Sequence, residues 1–323
     1  MTAKIFIDGE VGTTGLQIRA RLDGRSDIKF LRLPENLRKE REARAQMLNE
    51  ADIAILCLPD AAAIEAVALI ENKTTRVIDA SSAHRVADGW TYGFAELSPT
   101  QRAEIAASKR LSNPGCYPQG YIAMMRPLVE AGLIPSDFPA TLNAVSGYSG
   151  GGKGMIAEYE QGEEPIKVPY WPYGLTLGHK HVPEMTAYAG LQHPPVFQPA
   201  VGHYAQGMID AIPLNLWALE SGLKMADLHA CLTKRYEGET FVKVAPLASA
   251  GKLDAITPEH LNGTNSLHIH VHGNDDIGQA VLLAVYDNLG KGASGAAVQN
   301  MNIMMGIDEA TGLTAASLPT ASH

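Results

Sequence analysis

The first third of the chain alternates short apolar runs with amphipathic stretches. Ile5-Phe6-Ile7 fills a strand-like run at 4–8, a glycine-rich turn follows, and 14–22 reads as a helix. A second strand is expected at 28–33. The stretch 38–50, rich in alanine and charge, reads as a solvated helix. Asp52-Ile53-Ala54-Ile55-Leu56-Cys57-Leu58 is apolar almost throughout, as a strand covered on both faces must be. A helix at 61–71 and a buried strand at 75–79 continue the alternation. This repetition predicts an α/β domain with a parallel sheet and right-handed crossovers, a Rossmann-type dinucleotide-binding domain.

The pattern changes after Asn113. Gly, Pro, Tyr and Ser become dense over 146–183, the composition of a loop-rich active-site region. Strand-like runs at 141–145, 195–201, 208–214 and 266–272 predict a second, mostly antiparallel sheet in an α+β domain. The apolar runs 277–288 and 293–305 read as helices. The expected division is 1–115, completed by a returning 287–323, for the nucleotide domain and 116–286 for catalysis and substrate binding. The tail after Gly312 is small and polar and is expected to fray. There is no internal repeat.

The length, 323 residues, suits two domains. With 46% hydrophobic and 19% charged residues the chain reads as globular and ordered. A formal charge of −9 argues against nucleic acid, yet a few well-placed cations can still hold a small anion. No apolar run approaches a membrane span, so no membrane partner is expected. Three cysteines give no disulfide framework, and the start of the chain has no signal-peptide pattern, so a cytoplasmic address is expected. Glycosylation triplets at Asn72 and Asn262 are chance matches in that setting.

Gly9-Glu10-Val11-Gly12-Thr13-Thr14-Gly15 joins the first strand to the first helix. Gly9, Gly12 and Gly15 let the backbone turn sharply and approach a pyrophosphate. The helix start at Thr13 and Thr14 offers N–H groups and a positive dipole end. An acid at the end of the second strand would bind a ribose hydroxyl, whereas a base would bind a 2′-phosphate. Arg32, Arg38 and Lys39 stand there, with Glu35 among them, so NADP(H) is expected over NAD.

Cys116 follows the Pro114-Gly115 turn and precedes the apolar run Tyr121-Ile122-Ala123-Met124-Met125. That places it at or near a helix N-terminus, where dipole and N–H groups favour a thiolate and can hold an oxyanion. Cys57, in a buried run, and Cys231, in a helical one, lack this setting and read as core residues.

Asn113-Pro114-Gly115-Cys116-Tyr117-Pro118 resembles the nucleophile motif of the N-acetyl-γ-glutamyl-phosphate reductases, within the aspartate-semialdehyde dehydrogenase-like superfamily. The resemblance covers nearly the whole chain. It includes Asp79-Ala80-Ser81-Ser82-Ala83-His84-Arg85, Ser146-Gly147-Tyr148-Ser149-Gly150-Gly151-Gly152-Lys153, Gly178-His179-Lys180-His181-Val182-Pro183-Glu184, and the segment from Asp287 to Asn300. The length fits the shorter of the family's two types, and His84 stands where the longer type has a different pair before the arginine. The resemblance implies reduction of an acyl phosphate by NADPH through a thioester on Cys116, in arginine biosynthesis. It also implies that the α+β domain is a catalytic and dimerisation domain and that the protein is a homo-oligomer, dimer or tetramer. Asn288 resembles the asparagine that holds the nicotinamide carboxamide in related enzymes.

Thiol chemistry needs a base and then an acid. His181, oriented by a carboxylate such as Glu184, is the first candidate for both. His179 is the alternative, or else binds substrate. The acyl phosphate, and the inorganic phosphate it releases, need local positive charge, for which Arg85, Lys153 and Lys180 are candidates, with Ser82 beside Arg85. His268, His270 and His272 share one face of a strand. Ligands on one strand rarely close a tetrahedron, so no metal is expected and a polar or interface face is preferred. Alternative functions are a phosphorylating aspartate-semialdehyde dehydrogenase, a non-catalytic NADP-binding redox sensor using Cys116, and a zinc hydrolase built on the strand histidines.

Overall fold

The computed structural model describes residues 2–161, 165–219, 222–247 and 256–318. The chain folds into two compact units. One takes in Met1–Gly115 and Ala293–Leu313, the other Cys116–Gly292 and Thr314–His323.

In the first unit the chain runs β1 (Ala3–Asp8), α1 (Thr13–Leu22), β2 (Ile28–Leu31), α2 (Arg41–Glu50), β3 (Ile53–Leu56), α3 (Asp60–Ala68), β4 (Arg76–Asp79), β5 (Thr91–Tyr92), α4 (Gln101–Ala107) and β6 (Arg110–Ser112). All pairings of its six-stranded sheet are parallel, in the order β2-β1-β3-β4-β6-β5. The order reverses between β1 and β3, so a crevice opens at their carboxyl ends, the place where open α/β sheets bind ligands. One face of the sheet buries Ile5, Ile7, Ile53, Ile55 and Ile78, and the other Phe6, Ala54, Leu56 and Val77. Both sides being apolar explains the near-continuous hydrophobic runs of the sequence.

The second unit holds α5 (Cys116–Glu130), β7 (Thr141–Gly147), α6 (Gly152–Glu160), β8 (Tyr170–Pro172), α7 (Val182–Ala189), β9 (Val196–Gly202), β10 (Met208–Asn215), α8 (Met225–Arg235), β11 (Val242–Val244), β12 (Leu267–Asn274) and β13 (Gln279–Tyr286). Its seven-stranded sheet has the order β11-β12-β13-β10-β7-β9-β8. β10 and β13 pair antiparallel over their whole length, while β7 with β9 and β11 with β12 run parallel. Helix α9 (Gly295–Met305) returns to the first unit, where Ala297, Val298 and Met301 join the core that holds Ile5 and Ile18.

Three expectations change. The run 277–288 is a strand, because β13 pairs with both β10 and β12 and its apolar residues serve a sheet. The segment expected to return over 287–323 belongs to the first unit only as Ala293–Leu313. Asp287 explains the later start, since its carboxylate accepts from Gln206 Nε2 at 2.6 Å and the Gly263 N–H at 2.8 Å, both in the second unit. The tail is tied at its beginning. The Asn265 N–H donates to the Thr314 carbonyl at 2.8 Å and the Ala316 N–H to Ser266 Oγ at 2.7 Å. Its last part, 319–323, lies outside the described residues.

Candidate active site

Within the first unit, the glycine turn is shaped by contacts only glycine allows. Gly9 has φ +86°, and a Cβ there would stand 2.3 Å from the Cys57 carbonyl oxygen. A Cβ on Gly15 would lie 2.6 Å from the Gly9 carbonyl oxygen. Gly12 caps α1, its N–H donating to the Gly9 carbonyl at 2.9 Å. Thr13 Oγ1 is buried beside this turn and has no hydrogen-bond partner, and Thr14 follows it in the first turn of the helix. Next to the turn lies a cavity of about 600 Å³, lined by Gly9, Glu10, Val11, Leu33, Arg38 and Lys39 among others. The glycine turn and two exposed cations around one cavity fit the phosphates of a dinucleotide.

Arg44, which the sequence reading did not single out, also borders this cavity. Its guanidinium is committed to Asp8 at 3.0 Å and to Glu65 at 3.5 Å. Burial raises the Asp8 carboxyl above its ordinary range, and the Arg44 hydrogen bond and charge oppose that rise.

At the carboxyl end of β4, buried Asp79 organises the segment that follows. Its Oδ2 lies 2.6 Å from His84 Nδ1 and accepts from Ser81 Oγ at 2.7 Å. His84 stacks on Trp90 with ring centroids 4.0 Å apart. Ser82 Oγ donates to Asp60 Oδ2 at 2.7 Å. Arg85 is 7% exposed and donates through Nε to the Asn113 carbonyl and through Nη2 to the Ala80 carbonyl, each at 3.2 Å. Arg85 is therefore tied into the loops around it more firmly than a surface cation would be.

In the second unit, Cys116 is the first residue of α5. The start of a helix is the positive end of its dipole, a setting that favours a thiolate there. Tyr117 is buried and hydrogen-bonds the Ala200 carbonyl at 3.4 Å, while Tyr173 Oη donates to Tyr117 Oη at 3.3 Å. Burial pushes the Tyr173 phenol up to about 12. The two motif histidines meet this aromatic group. Their rings are 4.6 Å apart, the His181 ring lies 5.9 Å from that of Tyr117, and the His179 ring lies 5.1 Å from that of Phe197. His179 Nδ1 accepts from the His181 backbone N–H at 3.1 Å, which fixes that ring. His181 caps α7 and Glu184 sits buried in its first turn.

The glycine-rich loop from Ser146 is zipped to residues 204–207. Gly147, Tyr148 and Ser149 donate in turn to the carbonyls of Gly207, Tyr204 and Ala205. Asn288 bridges the same loops, its Nδ2 donating to Ser149 Oγ at 3.0 Å and its Oδ1 accepting from the Gly207 N–H at 2.7 Å. Both ends of the Asn288 amide are thus engaged within the protein. A Cβ on Gly292 would stand 3.1 Å from that of Cys116, so this segment passes close to the cysteine. Lys153, in the first turn of α6, and Lys180, beside the histidines, are exposed.

Burial and the charges of Asp79 and Asp8 push Cys57 up to about 12, and burial also raises Cys231. Among the described residues no group of three or more His, Cys, Asp or Glu could hold a metal ion. The strand histidines lie within β12, where His268 is buried and His270 and His272 are half-buried.

Comparison with known proteins assigns both units. The sequence model of the semialdehyde dehydrogenase NAD binding domain matches residues 13–105, and that of the semialdehyde dehydrogenase dimerisation domain matches 116–288. An N-acetyl-gamma-glutamyl-phosphate reductase of Mesorhizobium japonicum is 58% identical over 310 residues, 95% of this chain and 100% of that protein. The chain belongs to the N-acetyl-gamma-glutamyl-phosphate reductase family. Another relative, N-acetyl-gamma-glutamyl-phosphate reductase 2 of a Nostoc species, is 51% identical over 96% of this chain and 99% of its own. Among solved structures, the aspartate semialdehyde dehydrogenase of Francisella tularensis has a TM-score of 0.68 at 16% identity, covering 94% of this chain and 100% of its own. Aspartate semialdehyde dehydrogenase II of Vibrio cholerae has a TM-score of 0.66 at 14% identity, covering 94% and 98%. At such identities the likeness speaks for the fold alone, and it agrees with a parallel-sheet domain joined to a mixed-sheet one.

Proposed function

We propose that the protein is an NADPH-dependent oxidoreductase that converts N-acetyl-γ-glutamyl phosphate to N-acetyl-glutamate 5-semialdehyde, a step of arginine biosynthesis. The observation that carries this reading is the 58% identity to a reductase of that name across essentially the full length of both chains. The motif residues collected in each unit supply groups suited to the chemistry.

The Cys116 thiolate, at the start of α5, attacks the acyl carbon. The carbon–oxygen bond to phosphate breaks, inorganic phosphate leaves, and a thioester forms. NADPH, when bound along the glycine turn, supplies a hydride. The thioester carbonyl becomes a thiohemiacetal oxyanion, which the first-turn N–H groups of α5 are suited to hold. Pro118 offers no N–H and so donates nothing there. His181 protonates this oxyanion. It then takes the proton back as the carbon–sulfur bond breaks, so that the aldehyde leaves and the thiolate is regenerated. Its ring, packed against His179 and Tyr117, has little freedom to turn away. Glu184, in the first turn of the helix that His181 caps, is the carboxylate that orients it. His179 lines the same aromatic group and is assigned to substrate.

Arg85, with Ser82 beside it, and Lys153 and Lys180 balance the phosphate and carboxylate of the substrate. Gly9, Gly12, Thr13, Thr14 and Gly15 receive the pyrophosphate, and Arg38 and Lys39 the 2′-phosphate. Asn288, whose amide already ties two loops together, acts on the nicotinamide through the loop geometry it fixes. The protein works as a homo-oligomer, dimer or tetramer, in the cytoplasm.

The test is a Cys116→Ser variant assayed in the reductive direction and titrated with NADPH. Turnover should fall by at least about 10³-fold while NADPH affinity stays within about twofold. A serine variant with wild-type turnover would remove the thioester route. An aspartate-semialdehyde preference in a panel of aldehydes, with phosphate and NADP, would remove the assigned substrate.

A further inference from the structure

Three oxygens meet beneath the start of α5. Tyr286 Oη lies 2.7 Å from the Cys116 carbonyl oxygen and 2.7 Å from Asp210 Oδ2. The Gly120 N–H donates to the same phenol oxygen at 3.2 Å. Asp210 and Tyr286 are both 0% exposed. Asp210 sits in the buried row of β10 with Met208 and Ile212, and its partners across the sheet are Ala144 and Ala284. Among the described residues, the titratable groups that act on the pair are Tyr286 on β13 and Cys116, Tyr117 and Tyr121 on α5, and none of these is a cation. A carboxyl group buried in such surroundings, with no base opposite it, requires a reason.

Counting protons supplies one. An O···O separation of 2.7 Å is a hydrogen bond and needs a proton between the atoms. The Cys116 carbonyl has none to give and a phenol has one. If Asp210 were ionised, the Tyr286 proton could serve only one of the two contacts, and lone pairs would face each other across the second. If Asp210 is neutral, its O–H donates to Tyr286 Oη, and Tyr286 donates to the Cys116 carbonyl. Both contacts are then made, and the Gly120 N–H occupies a remaining lone pair of the phenol. Burial acts in the same direction, holding the Asp210 carboxyl well above its ordinary range against the opposing hydrogen bonds of Tyr286 and the Tyr121 backbone. The relay also needs the helix close to the sheet. A Cβ on Gly120 would stand 2.4 Å from Asp210 Oδ2 and 2.8 Å from Tyr286 Oη, so glycine is what lets α5 descend onto the pair.

We infer that Asp210 is a protonated carboxylic acid which, through Tyr286, holds the Cys116 carbonyl and so aims the sulfur above it, the two side chains forming a positioning pair for the thioester chemistry. This rests on the reading of Cys116 as nucleophile. Neutrality has a use here, because an anion buried this close would disfavour the thiolate that has to form. The pair touches the backbone of the nucleophile and not the substrate, so its loss should appear in turnover and not in substrate binding.

The test uses the full-length enzyme. Asp210→Asn keeps a neutral donor toward Tyr286 and should hold kcat within about threefold. Asp210→Ala and Tyr286→Phe should lose roughly tenfold to a hundredfold in kcat with KM little changed. The rate at which iodoacetamide alkylates Cys116, read by peptide mass spectrometry, should follow the same order. Infrared spectra at neutral pH should contain a protonated-carboxyl C=O band that Asp210→Asn removes. That band reports the protonation state whether or not the alanine variant folds well. An Asp210→Asn variant as impaired as Asp210→Ala, or the absence of that band at neutral pH, overturns the inference. The two readings fail separately: full activity in Cys116→Ser would end the nucleophile assignment, while the infrared band and alkylation order would still report on the pair.

Discussion

Gly120 is the residue on which the floor of the site depends. The space where its side chain would begin is already taken by Asp210 and Tyr286. Gly120→Ala should therefore destabilise the protein by roughly 1–3 kcal/mol through overpacking, seen as a lower midpoint in urea with an unchanged slope. An alanine variant as stable as the parent would mean that α5 can lift off the sheet at no cost. At this scale the placement of Cys116 at a helix start was legible. Cys116 stood out because Pro114-Gly115 sets a turn and the following apolar run sets a helix, so the position followed from local rules. Asp210 and Tyr286 were not picked out, although Asp210 left a signal: it is the single charged residue in the apolar run from Met208 to Leu214. Only the packing of β10 and β13 against α5 shows what that carboxyl faces. Tyr117 and Tyr173 were missed for a related reason, since aromatics in a loop-rich segment are common and their pairing is a tertiary fact. Asn288 shows the limit of reading from resemblance alone, because its motif says nothing about the Ser149 and Gly207 contacts that engage its amide.

Among the elements, those of the first unit were readable because a doubly covered parallel sheet writes long apolar runs with turns between them. The strand β13 was not. Gln279-Ala280-Val281-Leu282-Leu283-Ala284-Val285-Tyr286 is apolar on both faces, and periodicity cannot separate such a run from a buried helix. Its partner β12 carries the histidines, where alternation was visible. Burial lowers His268 and His270 from 6.5 to about 4, with neighbouring histidines adding to the effect on His270. A histidine whose folded pKa is depressed stabilises the fold as the neutral ring. That stability is whole above about 6.5 and is lost as pH falls toward about 4, because the unfolded chain binds the proton first. His268 is 1% exposed, so it can contribute up to about 3 kcal/mol to the loss across that window. Replacing it with glutamine should flatten the fall in unfolding free energy between about pH 6.5 and about pH 4, measured by urea titration at each pH against the parent. Parallel curves for the two proteins would mean that the buried ring is already charged in the fold.

The molecule as a whole carries a formal charge of −9, yet the cofactor proposed for it is itself strongly anionic. Attraction must then come from local arrangement, and the cavity beside the glycine turn shows how little there is to work with. Three cations border it, but Arg44 is neutralised by Asp8 and Glu65, and Glu35 and Glu40 stand on the same wall. On the proposed reading the helix start at Thr13 would serve the pyrophosphate, which NADPH and NADH share. On the proposed reading, discrimination in favour of the 2′-phosphate would rest on Arg38 and Lys39, both exposed on that wall. Replacing both with alanine should weaken NADPH by about tenfold or more and leave NADH within about twofold, since a charge-assisted contact to phosphate is lost from one ligand only. The same difference should appear in the stability of the chain. A ligand present at a hundred times its Kd raises unfolding free energy by about 2.7 kcal/mol. At one fixed concentration NADPH should thus shift the thermal transition of the parent further than NADH does, and the double variant should respond alike to both. Raising the salt concentration should narrow the gap in the parent, because exposed cations are screened. A parent protein that NADH and NADPH stabilise equally would place cofactor choice elsewhere and leave those two cations as ordinary surface charge.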